Sequence, residues 1–272
     1  MTAEETVPFA EWLRLREPAD AAARAEDLLD ALRPRLVGDA PMVIHDLGSG
    51  TGSMARWLAT RLPGPQHWVL HDRDADLLAR AAEGMTGIRA ADGAPVTVRT
   101  RRGDLTRLTG ADLADATLVT ASALLDMLTL EEVERVVAAC VGHPALFAVS
   151  VTGRVRLTPA DPFDETVDAA FNDHQRRTVD GRRLLGPDAV AATVAAFTRH
   201  GVEVRERPSP WLLGPEHAEL TAEWFTGWLG AACEQRPDLA GPARPYARRR
   251  LADAAAGRLA VRVEHIDLLA GG

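Results

Sequence analysis

In Ile44-His45-Asp46-Leu47-Gly48-Ser49-Gly50-Thr51-Gly52-Ser53 a short apolar run ends in three glycines spaced two apart. Glycines at such a turn let a ligand approach the backbone closely. An acid stands two residues before the first of them, Asp46. A second, Asp72, closes the next apolar run in His71-Asp72-Arg73-Asp74, and a third, Asp104, follows the run after that in Arg102-Gly103-Asp104-Leu105. A carboxylate is a paired acceptor for a vicinal diol, and Asp72 lies about 20 residues beyond the loop, where a ribose-binding acid is expected. Ser53 occupies the place where the dinucleotide fingerprint wants its third glycine.

Those residues need elements to hold them. Residues 42–47 read as a buried strand running into the loop, and 54–62 as the helix that leaves it. Beyond them strands are expected at 67–71, 96–101, 116–120 and 145–151, with helices at 75–83 and 129–141. Alternating strands and helices with short connections predict a parallel sheet covered on both faces. The three acids would then converge on the crevice outside the carboxyl ends of the strands. Before the first strand, 9–17 and 19–33 read as helices broken at Pro18. After the fifth, the pattern gives helices at 164–177, 187–200, 216–235 and 243–256, and strands at 201–207 and 258–264. The expectation is one three-layer αβα Rossmann-like fold on a seven-stranded, mostly parallel sheet. A helical cap (1–40) precedes a cofactor-side half (41–151) and a substrate-side half (152–272).

Composition narrows the chemistry. The 272 residues include no lysine, which excludes Schiff bases, pyridoxal phosphate attachment and the P-loop lysine. A net charge of −8 argues against a general nucleic-acid binder. Cys140 and Cys233 lack the paired spacing of a zinc or redox motif, and no metal is expected. No run has the ~18 apolar residues that span a bilayer, and the first twenty residues lack an apolar signal-peptide stretch, so a cytoplasmic protein with no membrane partner is expected.

Over roughly 42–151 the sequence resembles the class I S-adenosylmethionine-dependent methyltransferases, whose first motif is similar to Asp46-Leu-Gly-Ser-Gly-Thr-Gly52. The resemblance implies S-adenosylmethionine as cofactor. Gly48, Ser49, Gly50 and Gly52 would lie against its methionine part, and Asp46 near its amino group. Asp72, with Arg73 beside it, would accept from the ribose hydroxyls, and Gly103, Asp104 and Leu105 would flank the adenine. A ligand without phosphates needs no lysine, which suits this composition.

By the same resemblance, the residues after the fourth strand face the acceptor: Ser122 beside the cofactor, and Asp126 as general base or orienting group. Asp126 can equally be a helix cap, although Thr129 with Glu132 makes the better capping box. Asn172 and His174 fall where related enzymes build the substrate pocket, and His174 could hold or deprotonate an acceptor. Trp211, Trp224, Phe225 and Trp228 read as core, or as a wall for a flat substrate. Trp12, Arg14 and Arg16 read as a packing helix, or as a lid over the cofactor. Arg248-Arg249-Arg250 reads as a solvated face rather than an anion site. The expected function is methyl transfer to an oxygen or nitrogen of a small molecule. The alternatives are a non-catalytic partner protein that binds the cofactor, a nicotinamide-dependent oxidoreductase, and an RNA methyltransferase.

Overall fold

A computed structural model describes residues 8–36 and 40–271. Strands β1 (Met42–Leu47), β2 (Gln66–Asp72), β3 (Val96–Arg102), β4 (Leu118–Ser122) and β5 (Ala145–Thr158) alternate with helices α3 (Ser53–Ala59), α4 (Ala75–Gly84) and α5 (Leu130–Cys140). Then come α6 (Asp164–Gln175), a small hairpin of β6 (Thr178–Val179) and β7 (Arg182–Arg183), α7 (Ala189–Arg199), β8 (Val204–Pro208) and β9 (Trp211–Leu213). Helices α8 (Ala218–Gln235) and α9 (Ala240–Ala255) lead to the last strand, β10 (Ala260–Ala270).

The main sheet runs β3-β2-β1-β4-β5-β10-β8, with β9 paired to β10 as an eighth strand. Strands β1 to β5 are parallel to their neighbours, and β10 is antiparallel to β5, β8 and β9. This is the expected three-layer Rossmann-like fold with eight strands in place of seven. The extra one, β9, has only three residues, too few to show an alternation in sequence. The order reverses between β1 and β4, which opens a crevice at their carboxyl ends.

Each face of the sheet is sealed by its own apolar cluster. Ile44, Trp68, Leu70 and Leu118 pack with Met54, Trp57 and Leu58 of α3 and Leu78 of α4 on one side. Leu47, Val119 and Phe147 pack with Val133, Val137 and Phe197 on the other. Central strands buried on both faces are near-continuous apolar runs, whereas edge strand β3 alternates valine with threonine and arginine.

A third cluster lies beyond the carboxyl edge. There β5 runs past Val151 to Thr158 and pairs with the first half of β10. Leu157, Val261, Val263, Trp211 and Leu213 pack with Val167 of α6, Phe225 and Trp228 of α8, and Tyr246 of α9. Helix α1 (Phe9–Ala23) joins this cluster through Trp12, Leu15, Ala19 and Ala23, and α2 (Asp27–Leu32) joins the α3 side through Leu28, Leu29 and Leu32. The expected break at Pro18 is absent: α1 runs through it and ends at Arg24, whose ψ is 134°. An Arg16–Asp20 bond spans the proline and burial of Ala19 anchors the next turn, so tertiary packing offsets the missing backbone bond.

Candidate functional site

The glycine loop joins β1 to α3 at the crevice. Gly48, Gly50 and Gly52 all have positive φ (63°, 53° and 85°), a region costly for other residues. A Cβ at Gly48 would lie 2.9 Å from Leu124, and one at Gly50 3.1 Å from Leu13 of α1. The loop is thus pressed between the residues after β4 and the first helix. Its backbone is pinned by Ser49 N–H donating to His71 O (2.9 Å) and Gly50 N–H donating to the Asp72 carboxylate (2.9 Å).

Asp72 ends β2 beside the loop, and its other oxygen accepts from Asp74 N–H (3.0 Å). Asp74 itself caps α4. Gly103 N–H donates to Asp72 O (2.9 Å), which brings the third acid's turn alongside. Asp104 is exposed and accepts from Thr106 N–H (2.9 Å), a bond that holds its carboxyl below the usual range. Leu105 reaches back to within 3.6 Å of a Cβ placed on Gly48. Arg73 is exposed, and its carbonyl accepts from Arg102 Nε (3.1 Å).

Asp46 is only 1% exposed. Facing it across the β1–β4 register, Thr120 donates its hydroxyl to one carboxylate oxygen (2.7 Å). The other oxygen is buried without a hydrogen-bond partner. Burial pushes this carboxyl up to about 7.

Sequence reasoning passed over Arg24, the residue just after α1. It is 3% exposed, lies over the Trp57 ring, and donates one guanidinium nitrogen to Ser53 Oγ (3.1 Å) and Ser122 Oγ (3.2 Å). Its Nε and other terminal nitrogen are buried with no partner, and among the described residues no carboxylate pairs with it. Ser53 therefore opens α3 with its hydroxyl turned to an arginine. One signal was legible: Arg16, Asp20 and Arg24 recur every four residues beside the apolar stripe of α1.

Asp126 sits in a turn just after β4. Thr129 and Glu132 form the capping box of α5, so the Asp126 carboxylate is not spent on it. Burial raises it to about 6, against the opposing pull of Arg16 and Arg177. Of the other substrate-side residues, Asn172 donates to Gly153 O (2.8 Å) and keeps a buried oxygen unpartnered. His174 ties α6 to α8 through Glu234 (3.1 Å). Trp211 is 3% exposed and donates to Asp20 (3.0 Å), with Arg16 over its ring. Trp224 and Trp228 stack at 5.3 Å inside the third cluster, as core. Arg14 pairs with Glu11 on the surface. The arginine run is not the uniform solvated face expected: a helix turns successive positions apart, and Arg250 points inward onto both Asp164 oxygens (2.6 and 2.7 Å).

Residues 44–143, a little over a third of the chain, match the family described as "Methyltransferase domain". No curated protein matches the chain. Similar solved structures include the YcgJ protein from Bacillus subtilis, at 12% identity and a TM-score of 0.49, covering 90% of this chain and 97% of that one. A methyltransferase from Geobacter sulfurreducens in complex with S-adenosyl-L-homocysteine has 15% identity and a TM-score of 0.44, covering 97% and 98%. The geranyl diphosphate C-methyltransferase from Streptomyces coelicolor has 13% identity and a TM-score of 0.43, covering 90% and 79%. With these three TM-scores below 0.5, it is the site's own geometry that bears on function. Among the described residues no helix is long and apolar enough to cross a membrane, and no cluster could hold a metal.

Proposed function

We propose that this protein transfers the methyl group of S-adenosylmethionine to an oxygen or nitrogen of a small molecule. One observation carries the reading. Two buried groups of opposite charge, Arg24 and Asp46, lie beside the glycine loop within electrostatic reach of each other, and each keeps hydrogen-bonding atoms without a partner. A carboxylate and an ammonium on one carbon satisfy both. The methionine end of this cofactor has that pair, and a dinucleotide does not.

In this reading the two free guanidinium nitrogens of Arg24 grip the carboxylate, and the free oxygen of Asp46 accepts from the ammonium. Asp72 takes the ribose hydroxyls. Gly103, Asp104 and Leu105 flank the adenine, and Ser122 orients Arg24 rather than the sulfur. When bound, the cofactor supplies an electrophilic methyl on a sulfonium, ready for in-line displacement. The protein then has to align the acceptor and remove its proton. Asp126, at the end of β4 with its carboxyl near 6, is ionised at neutral pH and is the group we assign to that proton. Asn172, with a free carbonyl oxygen, is assigned to orienting the acceptor. His174 and Trp211 support the pocket through Glu234 of α8 and Asp20 of α1.

The test is a screen of small phenols, alcohols and amines with the methyl-labelled cofactor, comparing wild type with Asp126→Asn. Label transfer that falls at least about a hundredfold in kcat in the variant supports the assignment. Transfer that is undiminished removes Asp126 from it.

A further inference from the structure

Asp267 lies in an apolar stretch of β10, Ile266-Asp267-Leu268-Leu269, far in sequence from the glycine loop and from Arg24. It is 1% exposed and forms no ion pair among the described residues. Each of its oxygens accepts a backbone N–H: one from Val149 (2.7 Å) and one from Ala25 (2.9 Å). Those two donors are unusual places in the chain.

Ala25 directly follows Arg24 in the break between α1 and α2. Its N–H has left the α1 ladder, whose last bond is Arg24 N–H to Asp20 O (3.1 Å). The Asp267 carboxylate therefore fixes the peptide from which Arg24 departs. Val149 is a β-branched residue at φ 55°, a conformation rare for its type. It stands where β5 runs past the end of β4, opposite an irregularity between Ile266 and Leu268 in the β5–β10 pairing. Its neighbour Ala148 accepts from Ala123 N–H (3.0 Å), and Ala123 is itself strained at φ 50° immediately after Ser122. Strain of this kind persists only where surrounding bonds over-determine it. One carboxylate thus holds both sides of the cleft in which the Arg24 guanidinium lies: the hinge that launches it, and the strand ends that carry its Ser122 partner.

The geometry points to Asp267 as a positioning residue for the cofactor's amino-acid end, acting through Arg24. This rests on the cofactor assignment proposed above. Asp267→Asn is nearly isosteric, but its NH2 group faces a second donor, so only one of the two bonds survives. Ala25→Pro cuts the hinge bond alone. The ψ of 134° at Arg24 is already what a following proline requires.

The experiment titrates each folded variant with two ligands, S-adenosylhomocysteine and 5′-methylthioadenosine, which shares the nucleoside and sulfur but lacks the amino-acid end. Both variants are expected to lose affinity for S-adenosylhomocysteine by about tenfold or more, because small misplacements of a charged partner are costly. Their affinity for 5′-methylthioadenosine should stay within about twofold. Adding Asp267→Asn to Arg24→Met should weaken S-adenosylhomocysteine no further than Arg24→Met alone. Equal losses for the two ligands, no loss for either, or additive losses in the double variant overturn the positioning role and leave the cofactor assignment standing. Absence of S-adenosylhomocysteine binding by wild type overturns both.

Discussion

Replacing Arg24 by methionine should separate stability from binding. In the free protein no carboxylate is in direct contact with the buried guanidinium, and burial lowers its pKa against the longer-range attraction of Asp20, Asp267 and Asp46. Two of its nitrogens have no partner. Methionine keeps much of the volume against Trp57 and removes the charge. It loses the bonds to Ser53 and Ser122, each worth about 1.5 kcal/mol, and gains relief from burying a charge without a contacting carboxylate, which costs several kcal/mol. The free variant should therefore unfold at the same denaturant concentration as wild type, or a higher one. Binding should move the other way. The two free nitrogens offer two charge-assisted bonds to a carboxylate at about 1.5–3 kcal/mol each, so S-adenosylhomocysteine should bind at least about 3 kcal/mol more weakly, about 150-fold. Affinity for 5′-methylthioadenosine should hold. Calorimetric titration and urea unfolding on the same preparations give all three quantities. If affinity for S-adenosylhomocysteine is unchanged, or if both ligands fall together, Arg24 is not a carboxylate anchor.

Three further outcomes follow from the buried titrating groups. Asp46 has its folded pKa raised to about 7, so its contribution to stability is present below the unfolded value and is lost as pH rises through the folded one. Asp46→Asn should become more stable than wild type by about 2 kcal/mol or more by pH 8, with the gap closing toward pH 4, and wild-type affinity for S-adenosylhomocysteine should weaken as pH drops below 7. His71, bonded to His45 (2.9 Å) behind the loop, is lowered to about 4 by burial, so its contribution is present above the unfolded value near 6.5 and is lost as pH falls toward 4. Between pH 7.5 and pH 5 the stability of His71→Gln should rise by about 2 kcal/mol relative to wild type, and a gap that stays constant would show that the imidazole protonates freely in place. For Asp126, kcat should climb with pH through about 6 and then level, and a flat profile would exclude it as the base.

The strands and helices from β1 to β5 were legible because their signals are local. An apolar run, three glycines and an acid at the next strand end are all set by backbone geometry within a few residues. Capping by Thr129 and Glu132 was legible for the same reason. What escaped depends on partners distant in sequence. Arg24 sits among alanines in a helical stretch, and its burial exists only once β4 and α3 are folded against it. Pro18 reads as a break because the Arg16–Asp20 bond and the burial of Ala19 that override it come from packing. The full reach of β5, hidden by Gly153, is set by pairing with β10 more than a hundred residues later. Asp267 lies beyond the strand expected at 258–264, within an apolar run that the structure adds to β10, and its donors Ala25 and Val149 are visible only in three dimensions. The substrate-side residues were the least legible, since His174 and Trp211 are taken up by contacts with Glu234 and Asp20 that no local pattern announces.

The most direct test of the central claim is calorimetric titration of wild type and Asp72→Ala with S-adenosylhomocysteine and, in parallel, with NAD⁺. Wild type should bind S-adenosylhomocysteine and not NAD⁺, and the variant should bind S-adenosylhomocysteine about 1.5–3 kcal/mol more weakly. Binding of NAD⁺ alone, or of neither ligand, would contradict that claim.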